Sequence, residues 1–311
     1  MEVILSAVLL LIGLVMLCFG GNWLVNGGIG IAKKFRISNL VIGMTIVAFG
    51  TSSPELAASI AAAGDHSAII LGNIVGSNIA NVGMVIGVAA ILAPLAIQKS
   101  VLRKEIPIML GVAALLVLLS IDGELSQYDG ILLLIGLGIF VVYTFRSALK
   151  QREKSKDDTN SGKNNVYLKS IGLIGIGIIL LYIGAILTVD NAVVIASEFG
   201  LSETIIGLTV IAIGTSLPEL ITSIIAIRKG HSDIGIGNII GSNIYNILMI
   251  MGVGASLGGV LITADIYVDY AIMIIFSLSL LIGLKTKIIN RTMGIILAAG
   301  YGLYLITTFL K

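Results

Sequence analysis

The stretch Gly50-Thr51-Ser52-Ser53-Pro54-Glu55-Leu56 returns 164 residues later as Gly214-Thr215-Ser216-Leu217-Pro218-Glu219-Leu220. Both copies lie inside apolar runs, so each plants a glutamate, Glu55 or Glu219, where an ordinary apolar helix has none. A carboxylate at the centre of a bilayer costs about 2.5–3.5 kcal/mol on insertion scales, so two of them ask for a function. Cation binding is the first candidate.

The bilayer follows from composition. A chain of 311 residues that is 57% hydrophobic and 12% charged has too little polar surface to coat a soluble globule, and reads as a membrane protein. Ten apolar segments are long enough to cross a hydrocarbon core about 30 Å thick. Helices 1 to 10 are predicted near 3–24, 38–63, 68–94, 105–121, 129–145, 168–189, 203–227, 234–262, 267–284 and 292–310. The first carries Glu2 and no basic residue at its start, the wrong flank for a cleaved signal peptide, and is read as retained. The single Cys18 sits in an apolar run and reads as a small buried hydrophobe, which leaves neither a disulfide framework nor a thiolate cluster.

Charge is ordered along the chain. Basic residues follow helix 1 (Lys33, Lys34, Arg36), helix 3 (Lys99, Arg103, Lys104), helix 5 (146–169), helix 7 (Arg228, Lys229) and helix 9 (Lys285, Lys287, Arg291). The alternate connections hold acids: Asp65; Asp122, Glu124 and Asp129; Asp190, Glu198 and Glu203; Asp265 and Asp269. The positive-inside rule then makes eighteen of the nineteen Lys and Arg residues cytoplasmic, with Lys311 the exception, and puts both termini outside the cell.

The repeat extends beyond the opening motif. Val41 to Ile60 matches Ile205 to Ile224 at twelve of twenty positions, and Gly72 to Asn81 matches Gly237 to Asn246 at eight of ten, so the chain is an internal duplication. Five helices per half is an odd number, so the second half enters the membrane from the opposite side. The expected fold is therefore an all-α membrane protein of ten helices in two inverted five-helix repeats, with broken helices 2 and 7 meeting at the midplane, a recurrent transporter plan. The first repeat spans 1–146 with its motif at 41–81, a polar cytoplasmic linker spans 147–169, and the second repeat spans 170–311 with its motif at 205–246. The linker's basic content reads as a positive-inside loop and not as a nucleic-acid site.

Pro54 has no N–H, so the Gly50 carbonyl loses its helical partner, and Ser53 is pushed from helical geometry; Pro218 acts likewise in helix 7. Carbonyls freed near Ala48 to Thr51 and Ala212 to Thr215 become candidate cation ligands. Thr51 and Ser52 share a helix face with Glu55, and Thr215 and Ser216 with Glu219; in the second motif Ser77 pairs with Asn81, and Ser242 with Asn246. The glycine pairs Gly72/Gly76 and Gly237/Gly241 would let these helices approach closely. This donor set is all oxygen, with no Cys or His, and suits hard cations such as Ca2+ or Na+. Without a nucleophile, a cofactor motif or a metal cluster beside the two Glu, an enzyme is disfavoured and no cofactor is expected. His66 and His231, in equivalent turns, read as exposed residues inherited from the duplication. The residues alone leave three transport readings open: sodium-coupled exchange, calcium/proton exchange through a Glu that carries protons, and a passive divalent cation channel.

The two Gly-Thr-Ser-x-Pro-Glu-Leu motifs, each followed by Gly-Asn-x-x-Gly-Ser-Asn, resemble the paired alpha repeats of the cation/calcium exchanger superfamily, and most closely its prokaryotic sodium/calcium exchangers. The resemblance covers nearly the whole chain. It implies a plasma-membrane antiporter working by alternating access, Glu55, Glu219, Thr51 and Thr215 as calcium ligands, and a sodium-binding set of Ala48, Thr51, Ser52, Glu55, Ser77, Asn81, Ala212, Thr215, Ser216, Glu219, Ser242 and Asn246, with Pro54 and Pro218 as hinges. Because potassium-dependent relatives carry Asp at the second central position, Asn246 argues against K+ transport; the Gly-Thr-Ser before each Glu argues against proton coupling. The family's use of more than two Na+ per cycle implies electrogenic exchange. The resemblance also makes helices 1 and 6 candidates for the moving gate. A single chain acting as a monomer, with no separate calcium-sensing domain, is expected.

Overall fold

The structure, a computed structural model, describes residues 2–61, 67–154, 164–200, 212–262, 266–282 and 287–309. It has the expected ten-helix, two-repeat architecture. Among the described residues, five helices are long and apolar enough to cross a membrane without interruption: Val3–Phe35, Ile70–Leu92, Gln127–Lys150, Tyr167–Glu198 and Ser232–Gly258. These are helices 1, 3, 5, 6 and 8. Helices 2 and 7 are broken, and helix 9 (Ile266–Ser279) and helix 10 (Arg291–Phe309) complete the second repeat, as helix 4 (Ile106–Leu119, entered through a wider π turn at Val101–Glu105) does in the first. Helices 3 and 8 lie at the centre: 78% and 100% of their spans are buried, against 22–28% for helices 1, 5 and 6, which face outward.

Helices 1 and 6 run well past their predicted ends, as Glu2–Phe35 and Asn164–Glu198. The reason is packing. Gly13, Gly20 and Gly27, seven apart on helix 1, meet Gly184, Gly177 and Ser170, seven apart on helix 6, and the partner number falls as the other rises, so the two helices are antiparallel. A Cβ built on Gly20 would stand 2.9 Å from both Gly177 O and Leu181 N, and one on Gly177 would stand 2.8 Å from Leu24 N. Glycine's low helix propensity is thus offset by backbone contact that no other residue permits. Gly20→Val is expected to force the pair apart and cost about 1–3 kcal/mol, as overpacking does. A lower melting temperature in detergent, with no similar loss for the open position Gly175, would verify it.

Both ends of the predicted linker 147–169 are helical. Helix 5 continues to Lys154 and helix 6 begins at Asn164, and the residues between them, 155–163, lie outside the described residues. Ala148 to Lys154 are strong helix formers, and a helix leaving the bilayer can be polar all round without penalty.

Two strand pairs, unexpected in an all-α reading, staple the connections. Leu95–Ala96, after helix 3, pairs antiparallel with Ile288–Ile289, after helix 9; Glu124–Leu125, after helix 4, pairs with Val260–Leu261, after helix 8. The duplication exchanges one pair for the other. Each pair joins two connections of the same charge class, so the connections sharing a side in space are those the basic and acidic alternation groups together.

Candidate cation-binding site

Helix 2 approaches its motif as Asn39–Ile42, widens to a π turn at Gly43–Val47, makes one more helical turn at Ala48–Thr51, and restarts over Ser53–Ala61. Helix 7 shows Ala212–Thr215 and Leu217–Arg228. The intervening serines adopt the same bridge conformation, φ −83° and ψ 6° at Ser52, φ −89° and ψ 1° at Ser216. The break therefore falls on Ser52, one residue before the Ser53 predicted from Pro54. Each proline sits in the first turn of a restarted helix, where its missing N–H has no intrahelical acceptor to satisfy.

One consequence corrects the sequence reading. Ala48 to Thr51 stay helical, and the Ala48 carbonyl is not freed, for it accepts both the Ser52 N–H at 3.0 Å and the Thr51 hydroxyl at 3.2 Å. Its equivalent, Ala212, opens the helical turn of helix 7, and the chain before it, 201–211, lies outside the described residues.

Glu55 and Glu219 are both buried and are direct neighbours at the centre of the molecule. Contacts run mainly between repeats. Ser52 of helix 2 donates to Glu219 Oε1 at 3.1 Å, and Ser242 of helix 8 donates to the same oxygen at 3.3 Å. Ser52 thus serves the opposite glutamate, whereas helical spacing alone assigns it to Glu55. Thr51 Oγ1 donates to Asn238 Oδ1 at 3.0 Å and lies 3.4 Å from Ser242 Oγ. The reciprocal contact, Thr215 Oγ1 to Asn73 Oδ1, is longer at 3.5 Å.

The two halves differ. Glu219 is held by two hydroxyls, but the residues equivalent to them, Ser216 and Ser77, have buried hydroxyls without a hydrogen-bond partner. Glu55 Oε2, Glu219 Oε2, Asn81 Oδ1 and Asn246 Oδ1 are likewise buried and unpartnered. Six oxygens from helices 2, 3, 7 and 8, all of them named from the sequence, are thus withdrawn from water and left without a donor. Leaving such groups unmade costs about 1–3 kcal/mol each, more for charged ones. Hard cations are partners that suit oxygens of this kind. No group of three or more His, Cys, Asp or Glu is present among the described residues, so the donors are two carboxylates and neutral oxygens, the class suited to Na+ and Ca2+.

Four amides that contact the candidate site residues escaped the sequence reading. Asn81 Nδ2 donates to Asn243 Oδ1 at 3.0 Å, and Asn246 Nδ2 to Asn78 Oδ1 at 3.1 Å. Asn78 and Asn243 in turn donate to each other's backbone carbonyls at 3.3 and 3.4 Å, and to Met273 Sδ and Met109 Sδ, both at 3.7 Å. This two-fold knot locks helix 3 to helix 8 and fixes each outer amide so that its nitrogen is consumed and its oxygen is left for a cation. Asn238 works similarly on Thr51: its amide donates to Ser223 Oγ at 3.0 Å, so its oxygen shares the one Thr51 hydroxyl hydrogen with the Ala48 carbonyl and leaves that hydroxyl's lone pairs. Asn73 is its counterpart. The signal was available, since all four amides recur at a shift of 165 within apolar helices.

Helices 3 and 8 also widen at the site. π segments begin at Asn81 (to Ile86) and at the equivalent Asn246 (to Met251). A π turn drops the regular i→i−4 bond, a distortion that concentrates at functional sites. Of the expected close-packing glycines, Gly241 bears the idea out, because a Cβ there would stand 2.7 Å from Ala48 Cβ and 2.8 Å from Met44 O; one on Gly72 or Gly76 would meet no described atom within 4 Å.

At one end of the site the turn after helix 7 makes three tethers. Lys229 Nζ donates to Asn22 and Asn26 of helix 1 at 2.5 and 2.6 Å, His231 and Asn39 are joined at 3.2 Å, and Gln98 donates to Asp233 at 2.8 Å. Partial burial there holds the Lys229 pKa below the ordinary lysine range. His231 is half-buried and bonded, against the exposed turn predicted for it, and His66 lies outside the described residues.

The pattern of known sodium/calcium exchanger proteins matches this chain over residues 5–146 and 169–310. The chain belongs to that family. It is 36% identical to the inner membrane protein YrbG of Escherichia coli strain K12, over 97% of this chain and 96% of the relative. It is 34% identical to the sodium/calcium exchanger MaX1 of Methanosarcina acetivorans, over 97% of each. Among solved structures, that of the sodium-calcium exchanger NCX_Mj soaked with 10 mM Na+ and zero Ca2+ superposes with a TM-score of 0.86 at 36% identity, covering 98% of this chain and 99% of that one. The family match skips 147–168, which holds the end of helix 5 and the start of helix 6.

Proposed function

We propose that the protein is a secondary antiporter that exchanges Na+ for Ca2+ by alternating access at a single site shared by its two repeats. The observation that carries the reading is the set of six buried, unpartnered oxygens around the neighbouring Glu55 and Glu219. In the calcium-loaded form Glu55 and Glu219 neutralise the ion's two charges, and Thr51 and Thr215 add hydroxyl oxygens. In the sodium-loaded form the same carboxylates are shared among several ions, with Ser52, Ser77, Ser216, Ser242, Asn81 and Asn246 completing their shells. In that form the Ala48 carbonyl keeps the Ser52 N–H and offers its second lone pair once the Thr51 hydroxyl turns toward the ion, and the Ala212 carbonyl is its equivalent in the other repeat. Because the two ion loads draw on the same carboxylates, one excludes the other, which is the coupling that antiport requires.

The unequal halves fit a carrier better than a pore. A site held tightly by Ser52 and Ser242 on one side, with Ser77 and Ser216 unengaged on the other, gives one half a closed hydroxyl shell and the other an open one. Inversion of the repeats lets the two arrangements trade places. Pro54 and Pro218, each in the first turn of a restarted helix, are the hinges of that change, and the glycine-packed pair of helices 1 and 6 is the gate that slides across it.

We further propose that both termini are extracellular, that the 147–169 linker is cytoplasmic, and that the protein sits in the plasma membrane and works as a monomer. The alternation of basic and acidic connections supports the orientation, and a site built wholly from one chain supports the last point. A cysteine introduced at Lys287 in a Cys18→Ser background is expected to react with an impermeant maleimide only after the membrane is opened; reaction in intact cells overturns the orientation.

The test of function is calcium-45 uptake into sodium-loaded proteoliposomes with the outward sodium gradient present or collapsed. Uptake that needs the gradient is the expected result; uptake indifferent to sodium but driven by a pH gradient selects proton coupling. With more than two Na+ per Ca2+, exchange moves net charge, and each charge crossing 100 mV is worth about 2.3 kcal/mol. A membrane potential negative on the calcium-entering side should therefore change the uptake rate, and a transient current should appear on a solid-supported membrane when calcium is supplied. Active protein that gives no current contradicts electrogenic exchange.

A further inference from the structure

Away from the ion site, a cleft of about 590 Å³ opens on the outer surface of helix 5 beside the start of helix 4. Its walls divide into two zones. Ile135, Ile139 and Val142 line one end and are 54%, 67% and 50% exposed on a lipid-facing helix. Arg146 and Lys150 of helix 5, with Lys104 from the π turn of helix 4, line the other end and are exposed. Ile135, Ile139, Val142, Arg146 and Lys150 follow a spacing of three to four and share one helix face. At 1.5 Å per residue, Ile135 to Arg146 spans about 16 Å, the depth of one hydrocarbon leaflet.

The floor of the groove is Gly138, where a Cβ would meet no described atom within 4 Å. The groove exists because that side chain is missing. None of the described residues lining it is an acid. The carboxylate close by, Glu105, faces an adjoining inner pocket of about 50 Å³ and accepts the Tyr143 hydroxyl at 3.4 Å. Three cations at the mouth of a leaflet-deep apolar groove, of which Lys104 alone also stands near a carboxylate, that of Glu105, are complementary to a phosphate ester carrying an acyl chain.

We propose that this cleft binds an anionic phospholipid, its phosphate held by Lys104, Arg146 and Lys150 and one acyl chain laid over Gly138 between Ile135, Ile139 and Val142. Lys104 and Tyr143 also line the inner pocket, which reaches Met44 in the π segment of helix 2. The lipid thus sits two side chains from the helix that carries Glu55.

The experiment is native mass spectrometry of the purified full chain, equilibrated in detergent with equal amounts of phosphatidylglycerol and phosphatidylcholine. The native chain is expected to retain one phosphatidylglycerol at least tenfold more often than one phosphatidylcholine. The triple variant Lys104→Gln/Arg146→Gln/Lys150→Gln should lose that preference, and Gly138→Leu, which fills the groove and leaves the charges, should lose retention of both lipids. Lys287→Gln/Arg291→Gln, which removes cations outside the cleft, should behave as the native chain. Equal retention of the two lipids by the native chain overturns the proposal. So does a triple variant that keeps the preference, or a Lys287/Arg291 variant that loses it, since either result assigns the selectivity to surface charge elsewhere.

Discussion

Glu55→Gln and Glu219→Gln are each expected to reduce sodium-driven calcium-45 uptake at least a hundredfold while leaving a folded, monodisperse protein. Glutamine keeps the volume and one carbonyl oxygen but removes the charge, so a buried Ca2+ faces a single carboxylate. Removing one partner from a buried charged pair costs about 3–5 kcal/mol, which corresponds to a loss of two to three and a half orders of magnitude in affinity. The apo protein feels the opposite effect. Neighbouring buried carboxylates repel, and neutralising one relieves that repulsion, so melting temperature without calcium should hold or rise. Stabilisation by added calcium should disappear in both variants. A variant that retains gradient-driven uptake within a few-fold of the native chain would remove that glutamate from the site. The two need not be equal, because Ser52 and Ser242 contact Glu219 and no equivalent pair contacts Glu55.

The second large effect belongs to Asn78 and Asn243, which contact the ion-facing amides without being counted among the ligands. Asn243→Leu removes the acceptor of Asn81 and two donors, one to the Asn78 carbonyl and one to Met109. Each buried polar group orphaned in this way costs about 1–3 kcal/mol. The Asn81 amide, no longer held, can present nitrogen or oxygen to the site. Uptake at saturating calcium should fall modestly, while the sodium and calcium concentrations for half-maximal exchange rise about tenfold or more, together with a lower melting temperature. Asn78→Leu should do the same through Asn246. The double variant discriminates between a shared and a separate role: because both amides belong to one knot, its effect should be much less than the sum of the two. Full additivity would mean that each amide supports only its own half.

The candidate ligands were readable because charge and amide stand out against an apolar run, and because duplication wrote each of them twice. Their partners were not. Helical spacing correctly placed Thr51 and Ser52 near a glutamate, but it attached Ser52 to Glu55, three residues away, when the hydroxyl reaches Glu219, 167 residues away. A single-residue break turns the serine toward the other repeat, and the direction of that turn is set only when helices 2, 7 and 8 are packed. The Ala48 carbonyl shows the same limit. Proline removes a donor from the ladder, but the first turn of a restarted helix has no use for that donor, and the turn before it stays closed.

Sequence by itself determined the membrane class, the number of spans, their duplication and inversion, the alternation of charged connections and the residues able to bind a hard cation. These follow from local quantities: the free energy of apolar segments in lipid, the parity of five helices, and the cost of a buried carboxylate. Tertiary structure decided which oxygens are spent on the protein and which are left for ions. It also set the full length of helices 1 and 6, whose glycines weaken an isolated helix yet allow backbone contact between two, and it tied connections far apart in sequence with two-residue strands. Each of these depends on what the second repeat presents to the first, and that information exists only once the two have interlocked.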